Sequence, residues 1–253
     1  MKWLQGKVIG QTEWHPGLFS IFIEAPPISF QAGQFVQLSL NSQEKHFRPY
    51  SLLNAPDDPV IEIYYTLVKQ GLFTPALASL STNSPIWVSA KASGRFVLDE
   101  VSQSNNLWCF ATGTGLGPFL SILKTSEPWQ RFKKIILVHS VRYHHELTHQ
   151  SFIESWQEKY PEQFRWCGVV TREQVAHTLN NRIPMLLQTR ELENTVACEL
   201  SLQDAVMLCG NPSMVSDVTQ ILLQRGMRLN QAKEKGQITI ESYWKNKIEV
   251  QKK

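Results

Sequence analysis

Phe110-Ala111-Thr112-Gly113-Thr114-Gly115-Leu116-Gly117-Pro118-Phe119-Leu120 is the stretch that sets the architecture of this chain. An apolar run ends in a loop with three glycines, and a second apolar run follows with a proline near its start. The local order this predicts is strand, glycine loop, then a helix over 117–124. Such a loop aims backbone N–H groups and the positive end of a helix dipole at one point, which suits a pyrophosphate. The spacing is not G-x-G-x-x-G, because the third glycine comes early and Pro118 follows it. Nor is it a Walker A loop, since no Lys-Ser/Thr closes it. Taken alone, the stretch suits a structural glycine-rich turn equally well.

Downstream, strand and helix patterns alternate. Strands are expected at 107–111, 135–140, 165–171 and 206–209, and helices at 117–124, 150–160, near 184–192 and at 213–225, with a closing strand at 238–243. Near-continuous apolar strands alternating with helices predict a doubly wound parallel sheet covered on both faces. Upstream, β-branched and aromatic runs at 7–14, 18–24, 34–40, 47–53, 60–67 and 86–91 recur about every dozen residues between Gly/Pro turns. That rhythm predicts an antiparallel sandwich or barrel, and a small barrel ahead of the α/β half is the order we expect. One segment, 74–80, reads as a short helix with Thr74 as N-cap and Pro75 at its first position. The boundary falls near 95–105, giving an antiparallel barrel domain over 1–100 and a parallel-sheet α/β domain over 101–253.

The whole chain has 253 residues, 42% hydrophobic and 19% charged, enough apolar material for a sizeable core. Lys and Arg number 25 against 22 Asp and Glu, a net charge of +3. So small an excess argues against a nucleic-acid binder, yet leaves room for a local basic patch facing an acidic partner. The cysteines Cys109, Cys167, Cys198 and Cys209 have neither CxxC nor zinc spacing, so neither a metal nor an iron–sulfur cluster is expected. The first residues lack the apolar core of a secretory signal. The uncharged stretches 70–90 and 101–123 are broken by Pro, Ser, Thr and Asn, so no membrane span is expected. The expectation is a cytoplasmic monomer, with Cys109 and Cys167 as buried, reduced thiols.

Three further stretches carry candidate chemistry. The second strand of the α/β half runs into His139-Ser140-Val141-Arg142-Tyr143, with no carboxylate before Glu146. In dinucleotide sites an acid there binds the adenosine ribose, whereas an arginine accommodates a 2′-phosphate. The third strand ends on Arg172, and Arg182 follows. Strand ends in an open α/β sheet share one rim, so Arg142 and Arg172 are expected as neighbours, which points to NADP rather than NAD. Cys209-Gly210-Asn211-Pro212-Ser213-Met214 repeats the strand–turn–helix pattern with Ser213 as a candidate cap; an ordinary βα unit fits it as well. In the barrel half, Phe47-Arg48-Pro49-Tyr50-Ser51-Leu52 puts a cation, an aromatic ring and a hydroxyl on one strand. That set suits a flavin nucleotide, and a proline-bearing edge strand is the alternative.

Together these residues form a pattern. Arg48-Pro49-Tyr50-Ser51 resembles the RxYS flavin motif of the ferredoxin–NADP reductase family. Gly71-Leu72-Phe73-Thr74-Pro75 is similar to that family's pyrophosphate segment, and the stretch from Ala111 to Pro118 to its nicotinamide-side glycine loop. The stretches at 138–143, 170–173, 181–184 and 206–214 resemble the NADP half of the bacterial ferredoxin/flavodoxin–NADP reductases, and Glu241-Ser242-Tyr243-Trp244 their aromatic ending. The matches are collinear over most of the chain.

The resemblance implies FAD bound by the barrel domain and NADP(H) by the α/β domain. For FAD it implies Arg48 on the pyrophosphate, Pro49 within the motif, Tyr50 on the isoalloxazine and Ser51 near its N5. Tyr64, Tyr65, Thr66 and Leu67 would line the flavin and its ribityl chain, Leu72, Phe73 and Thr74 would bind the pyrophosphate, and Tyr243 and Trp244 would stack on the cofactor. Thr114 would sit between flavin and nicotinamide. For NADP it implies Gly113 in the loop, Arg142, Arg172 and Arg182 on the 2′-phosphate, and Asn211, Pro212, Ser213 and Asp217 on the nucleotide. Cys209 would lie near the hydride-transfer site, and Ser51 and Glu241 would relay a proton. The implied partner is an acidic electron-transfer protein, ferredoxin or flavodoxin. Residues 245–253 carry four lysines beyond the family's terminal Trp, read as a solvated tail or as an attractor for that partner. An NADPH-dependent free flavin or quinone reductase, and a non-catalytic flavin-binding subunit, remain alternatives on the same scaffold.

Overall fold

The computed structural model describes residues 2–41, 46–232 and 234–242. The chain forms two compact units. The first comprises Met1–Leu98 together with Gly117–Ser126; the second comprises Asp99–Leu116 and the described residues from Glu127 on.

The first unit holds an antiparallel sheet of β1 (Trp3–His15), β2 (Leu18–Glu24), β3 (Phe35–Ser39), β4 (Phe47–Ser51), β5 (Ile61–Thr66) and β6 (Pro85–Ser89) in the order β4-β3-β6-β1-β2-β5. The sheet closes on itself where Leu52, just past β4, bridges Ile63 of β5, which gives the expected barrel. Val8, Ile21, Ile23, Val36, Leu38, Ile63, Ile86 and Val88 fill its interior. The helix α1 spans Phe73–Ala78, not 74–80, and its N-cap is Leu72. Thr74 does not cap it: its hydroxyl accepts a hydrogen bond from Val68 N at 2.8 Å, pinning the preceding loop instead. Helix α2 (Gly117–Leu123) is buried along its whole length, and Ser121 Oγ donates to the Asn54 carbonyl at 2.7 Å. A helix apolar all round has no solvent face to offer.

The second unit holds a parallel sheet of β7 (Asn106–Thr112), β8 (Lys134–Val141), β9 (Phe164–Val170), β10 (Ala205–Gly210) and β11 (Ile238–Ser242) in the order β11-β10-β7-β8-β9. Nearly every residue of β7, β8 and β10 is buried, as expected of parallel strands covered on both faces. Five helices belong to this unit among the described residues: α3 (Glu127–Arg131), α4 (Gln150–Lys159), α5 (Ile183–Gln188), α6 (Glu191–Thr195) and α7 (Pro212–Gln224). The single helical piece expected near 184–192 is two helices, because Arg190 takes a left-handed conformation (φ 59°) between them. At five residues, α3 is too short to show a helical period in sequence. Among the described residues no helix is long and apolar enough to cross a membrane, and no three His, Cys, Asp or Glu side chains are grouped to hold a metal.

Candidate nucleotide-binding sites

In the first unit, β4 is an edge strand, which is why it tolerates Pro49. Its pairing with β3 sets Arg48 opposite Leu38, Tyr50 opposite Val36 and Ser51 opposite Phe35. Arg48 is exposed and donates from Nη1 to the Phe47 carbonyl at 2.8 Å. The Tyr50 ring lies 5.9 Å from Phe73 and 6.3 Å from Tyr65, so β4, β5 and the start of α1 meet there. Burial raises the Tyr50 phenol above its ordinary range, and Arg48 partly offsets this. Tyr64 and Tyr65 of β5 are both buried; the Tyr65 hydroxyl donates to Gln11 Oε1 at 2.8 Å. Thr66 is exposed, and Leu67 is tied to the barrel by its N–H on the Gly17 carbonyl. Leu72, by contrast, is 93% exposed.

In the second unit, the strand order reverses between β7 and β10, and the two glycine turns follow those two strands. Such a switch point is where open α/β sheets bind ligands. After β7 the chain makes a 3₁₀ turn, Gly113–Leu116. A Cβ on Gly115 would sit 2.5 Å from the Cys209 carbonyl oxygen, and one on Gly210 would sit 2.2 Å from Thr112 Oγ1. The two turns therefore approach as closely as glycine alone permits. Asn211 N donates to Thr112 Oγ1 at 2.7 Å, which ties them together. The cap of α7 is Asn211, whose Oδ1 accepts from Ser213 N at 2.9 Å; Ser213 is not the cap, because Pro212 takes the first helical position. Ser213 and Asp217 are exposed one turn apart on this helix. Cys209 is fully buried, with Ala111 as its register partner on one side and Glu241 on the other.

The expected arginine pair is adjacent. Arg172 N donates to the Arg142 carbonyl at 2.9 Å, just past the ends of β8 and β9. The Arg172 guanidinium lies 6.0 Å from the Tyr143 ring. Val169 bridges Leu179, which carries Arg182 to the edge of the same sheet. Glu146 is spent on the backbone: its Oε2 accepts from Arg142 N at 2.7 Å and Tyr143 N at 3.0 Å. It organises the turn that starts at Arg142. Tyr243, Trp244 and the tail 245–253 lie outside the described residues.

Two residues with structural work in these turns carried no role in the sequence reading. Thr112 bridges the turns as described, and buried His139 reaches the Gly113 carbonyl. The only sequence signal was a polar side chain at the end of an apolar strand.

Comparison with known proteins agrees with this geometry. Residues 110–220 match the oxidoreductase NAD-binding domain family. The flavodoxin/ferredoxin–NADP reductase of Escherichia coli K12 is 40% identical over 96% of this chain and 99% of its own. That of Buchnera aphidicola from Schizaphis graminum is 38% identical with the same coverage. A ferredoxin NADP+ reductase from Neisseria gonorrhoeae, solved with bound FAD and NADP, superposes with a TM-score of 0.91 at 29% identity, over 96% of this chain and 100% of that one. The chain belongs to the flavodoxin/ferredoxin–NADP reductase family.

Proposed function

We propose that this chain is a ferredoxin(flavodoxin)–NADP+ reductase, holding FAD in its first unit and NADP(H) in its second, with ferredoxin or flavodoxin as its protein partner. The observation that carries the NADP half is the state of the arginines. Elsewhere in the second unit Arg131, Arg165, Arg190, Arg225 and Arg228 are each bonded to a carboxylate or a carbonyl. Arg142, Arg172 and Arg182 are exposed and make no ion pair among the described residues. Planar forks at adjoining strand ends suit a 2′-phosphate, and Glu146 is already committed to the backbone. The donor set of the first unit likewise fits a flavin nucleotide. It offers the Arg48 fork, the half-buried Tyr50 ring, the Ser51 hydroxyl and the N–H groups of Leu72, Phe73 and Thr74.

When bound, FAD supplies the exchange between two-electron and one-electron chemistry that no side chain can perform. The chain's own residues bind and orient. Arg48, with Leu72, Phe73 and Thr74, holds the FAD pyrophosphate; the Thr74 hydroxyl, accepting from Val68 N, keeps its proton for a phosphate oxygen. Tyr50 covers the ring system, Tyr64, Tyr65, Thr66 and Leu67 shape its seat, and Ser51 holds a hydrogen bond beside N5. In the second unit Gly113, Thr114, Asn211, Pro212, Ser213 and Asp217 receive the dinucleotide, Cys209 packs at its nicotinamide end, and Glu241 relays a proton. The four buried free thiols support a cytoplasmic location.

An anaerobic visible spectrum, titrated with NADPH and separately with NADH, tests this reading. A yellow protein bleached readily by NADPH and poorly by NADH is the expected result. Equal bleaching by both removes the 2′-phosphate assignment, and a chain that takes up no FAD on reconstitution overturns the reading.

A further inference from the structure

His139 lies on β8, with Ala111 of β7 as its register partner, and is fully buried. Its Nε2 is 2.9 Å from the carbonyl oxygen of Gly113. Its Nδ1 is also buried and has no hydrogen-bond partner among the described residues. A carbonyl only accepts, so the contact requires the proton on Nε2 and leaves the lone pair on Nδ1. Burial pushes the pKa of the ring down to about 4, with the bond to Gly113 raising it and the nearby His149 lowering it. The imidazole is therefore neutral and in one tautomer at physiological pH.

An apolar ring would fill this space without burying the unmet lone pair of Nδ1, but it would give the Gly113 carbonyl no donor. What the imidazole adds is a grip on one peptide group. Gly113 has φ 52° and begins the turn after β7. No cis peptide bond occurs among the described residues, and in a trans peptide the C=O and the next N–H point in opposite directions. A Gly113 carbonyl drawn inward onto His139 thus turns the Thr114 N–H toward the opposite side, away from the buried sheet. The far end of the turn is fixed independently, where Gly115 abuts the Cys209 carbonyl and Asn211 N meets Thr112 Oγ1.

We propose that His139 is a positioning residue for the glycine turn: its Nε2–H holds the Gly113 carbonyl, and so presents the Thr114 N–H to the phosphate oxygens of a bound dinucleotide. The proposal rests on the reading that this turn receives NADP(H).

The test uses the FAD-loaded full chain. In the wild type, nitrogen-15 NMR of the histidine rings should find His139 as the neutral Nε2–H tautomer. Calorimetric titration with NADP+ then compares His139→Gln, whose amide nitrogen reaches as far as Nε2, with His139→Asn and His139→Leu, which fall short or cannot donate. Loss of one neutral hydrogen bond's worth of positioning corresponds to about a tenfold weaker NADP+ affinity for Asn and Leu, with Gln within about threefold of wild type. Amide exchange at Thr114 should quicken in Asn and Leu and not in Gln, while FAD content and the flavin spectrum stay unchanged in all three. An Nδ1–H tautomer, or folded Asn and Leu variants that bind NADP+ like the wild type, overturns the proposal alone. A wild type that binds no NADP+ overturns the functional reading, and this proposal with it. Should Leu lose its FAD, the Gln–Asn contrast and the wild-type tautomer still decide.

Discussion

Because Arg172 N is bonded to the Arg142 carbonyl, the two guanidinium groups leave the sheet from neighbouring strand ends. Two like charges leaving adjoining strand ends gain most from a ligand carrying two negative charges at one point, which describes a phosphate monoester and not a ribose hydroxyl. A hydrogen bond to a charged group contributes about 1.5–3 kcal/mol, or roughly a 10–100-fold change in affinity. Arg142→Gln and Arg172→Gln should each weaken NADPH by about that factor and leave NADH within about threefold. Stopped-flow titration of flavin reduction measures both; a parallel loss for NADH would mean the arginines act elsewhere than on the 2′-phosphate. These two residues were legible in sequence because a strand end is legible and an arginine there has few structural uses. Thr112 and His139 were not, because their partners are backbone groups 99 and 26 residues away. No periodicity encodes a bond from a side chain to a distant peptide.

Helices and turns follow the same division between local and distant causes. The strand pattern located the eleven strands of the described residues to within a few residues, since period and burial are written in each segment. The break between α5 and α6 was hidden, because a left-handed Arg190 carries none of the glycine or proline that marks most helix ends. The glycine turns show what closeness costs. In Gly210→Ala the new Cβ would meet Thr112 Oγ1 at 2.2 Å and the Thr112 carbonyl oxygen at 2.7 Å, at φ 128°. The expected loss is about 2 kcal/mol of stability, read from urea unfolding, together with weaker NADP+ binding. A variant as stable as the wild type would mean the turns can separate. A second anchor joins α6 to α7: buried Glu193 accepts from Arg225 Nη1 and Nη2, both at 3.1 Å, and from Leu200 N at 3.1 Å. Glu193→Ala leaves the Leu200 N–H without its acceptor and the partly buried Arg225 guanidinium with the Leu187 carbonyl alone, a loss of about 3 kcal/mol. The exposed pair Arg228–Glu234 is shorter, at 2.7 Å, yet Glu234→Ala should cost under about 1 kcal/mol, since water screens it. Equal urea midpoints for the two variants would show that burial does not set the scale here.

Stability of the whole molecule should carry the mark of His139. The ring titrates near its ordinary 6.5 when the chain is unfolded and near 4 when it is folded and buried. Between those values the unfolded chain binds a proton that the folded chain refuses, so acid favours unfolding. The contribution is fully present above about pH 6.5, shrinks as pH falls through the window and is gone below about pH 4. The drop from 6.5 to about 4 corresponds to about 3 kcal/mol across that window. Carboxylates titrate in the same range, which makes the difference between proteins the informative quantity: wild type minus His139→Gln, followed by urea unfolding from pH 4.5 to 8. The gap should widen in favour of the wild type as pH rises to about 6.5 and stay level beyond it. Burial of a neutral ring is the cause, so the slope should persist at high salt, where exposed charge pairs have lost their influence. Two curves that run parallel throughout would mean that the folded ring takes up a proton as readily as the unfolded one, and that proton would sit on Nδ1, for which the described residues offer no acceptor.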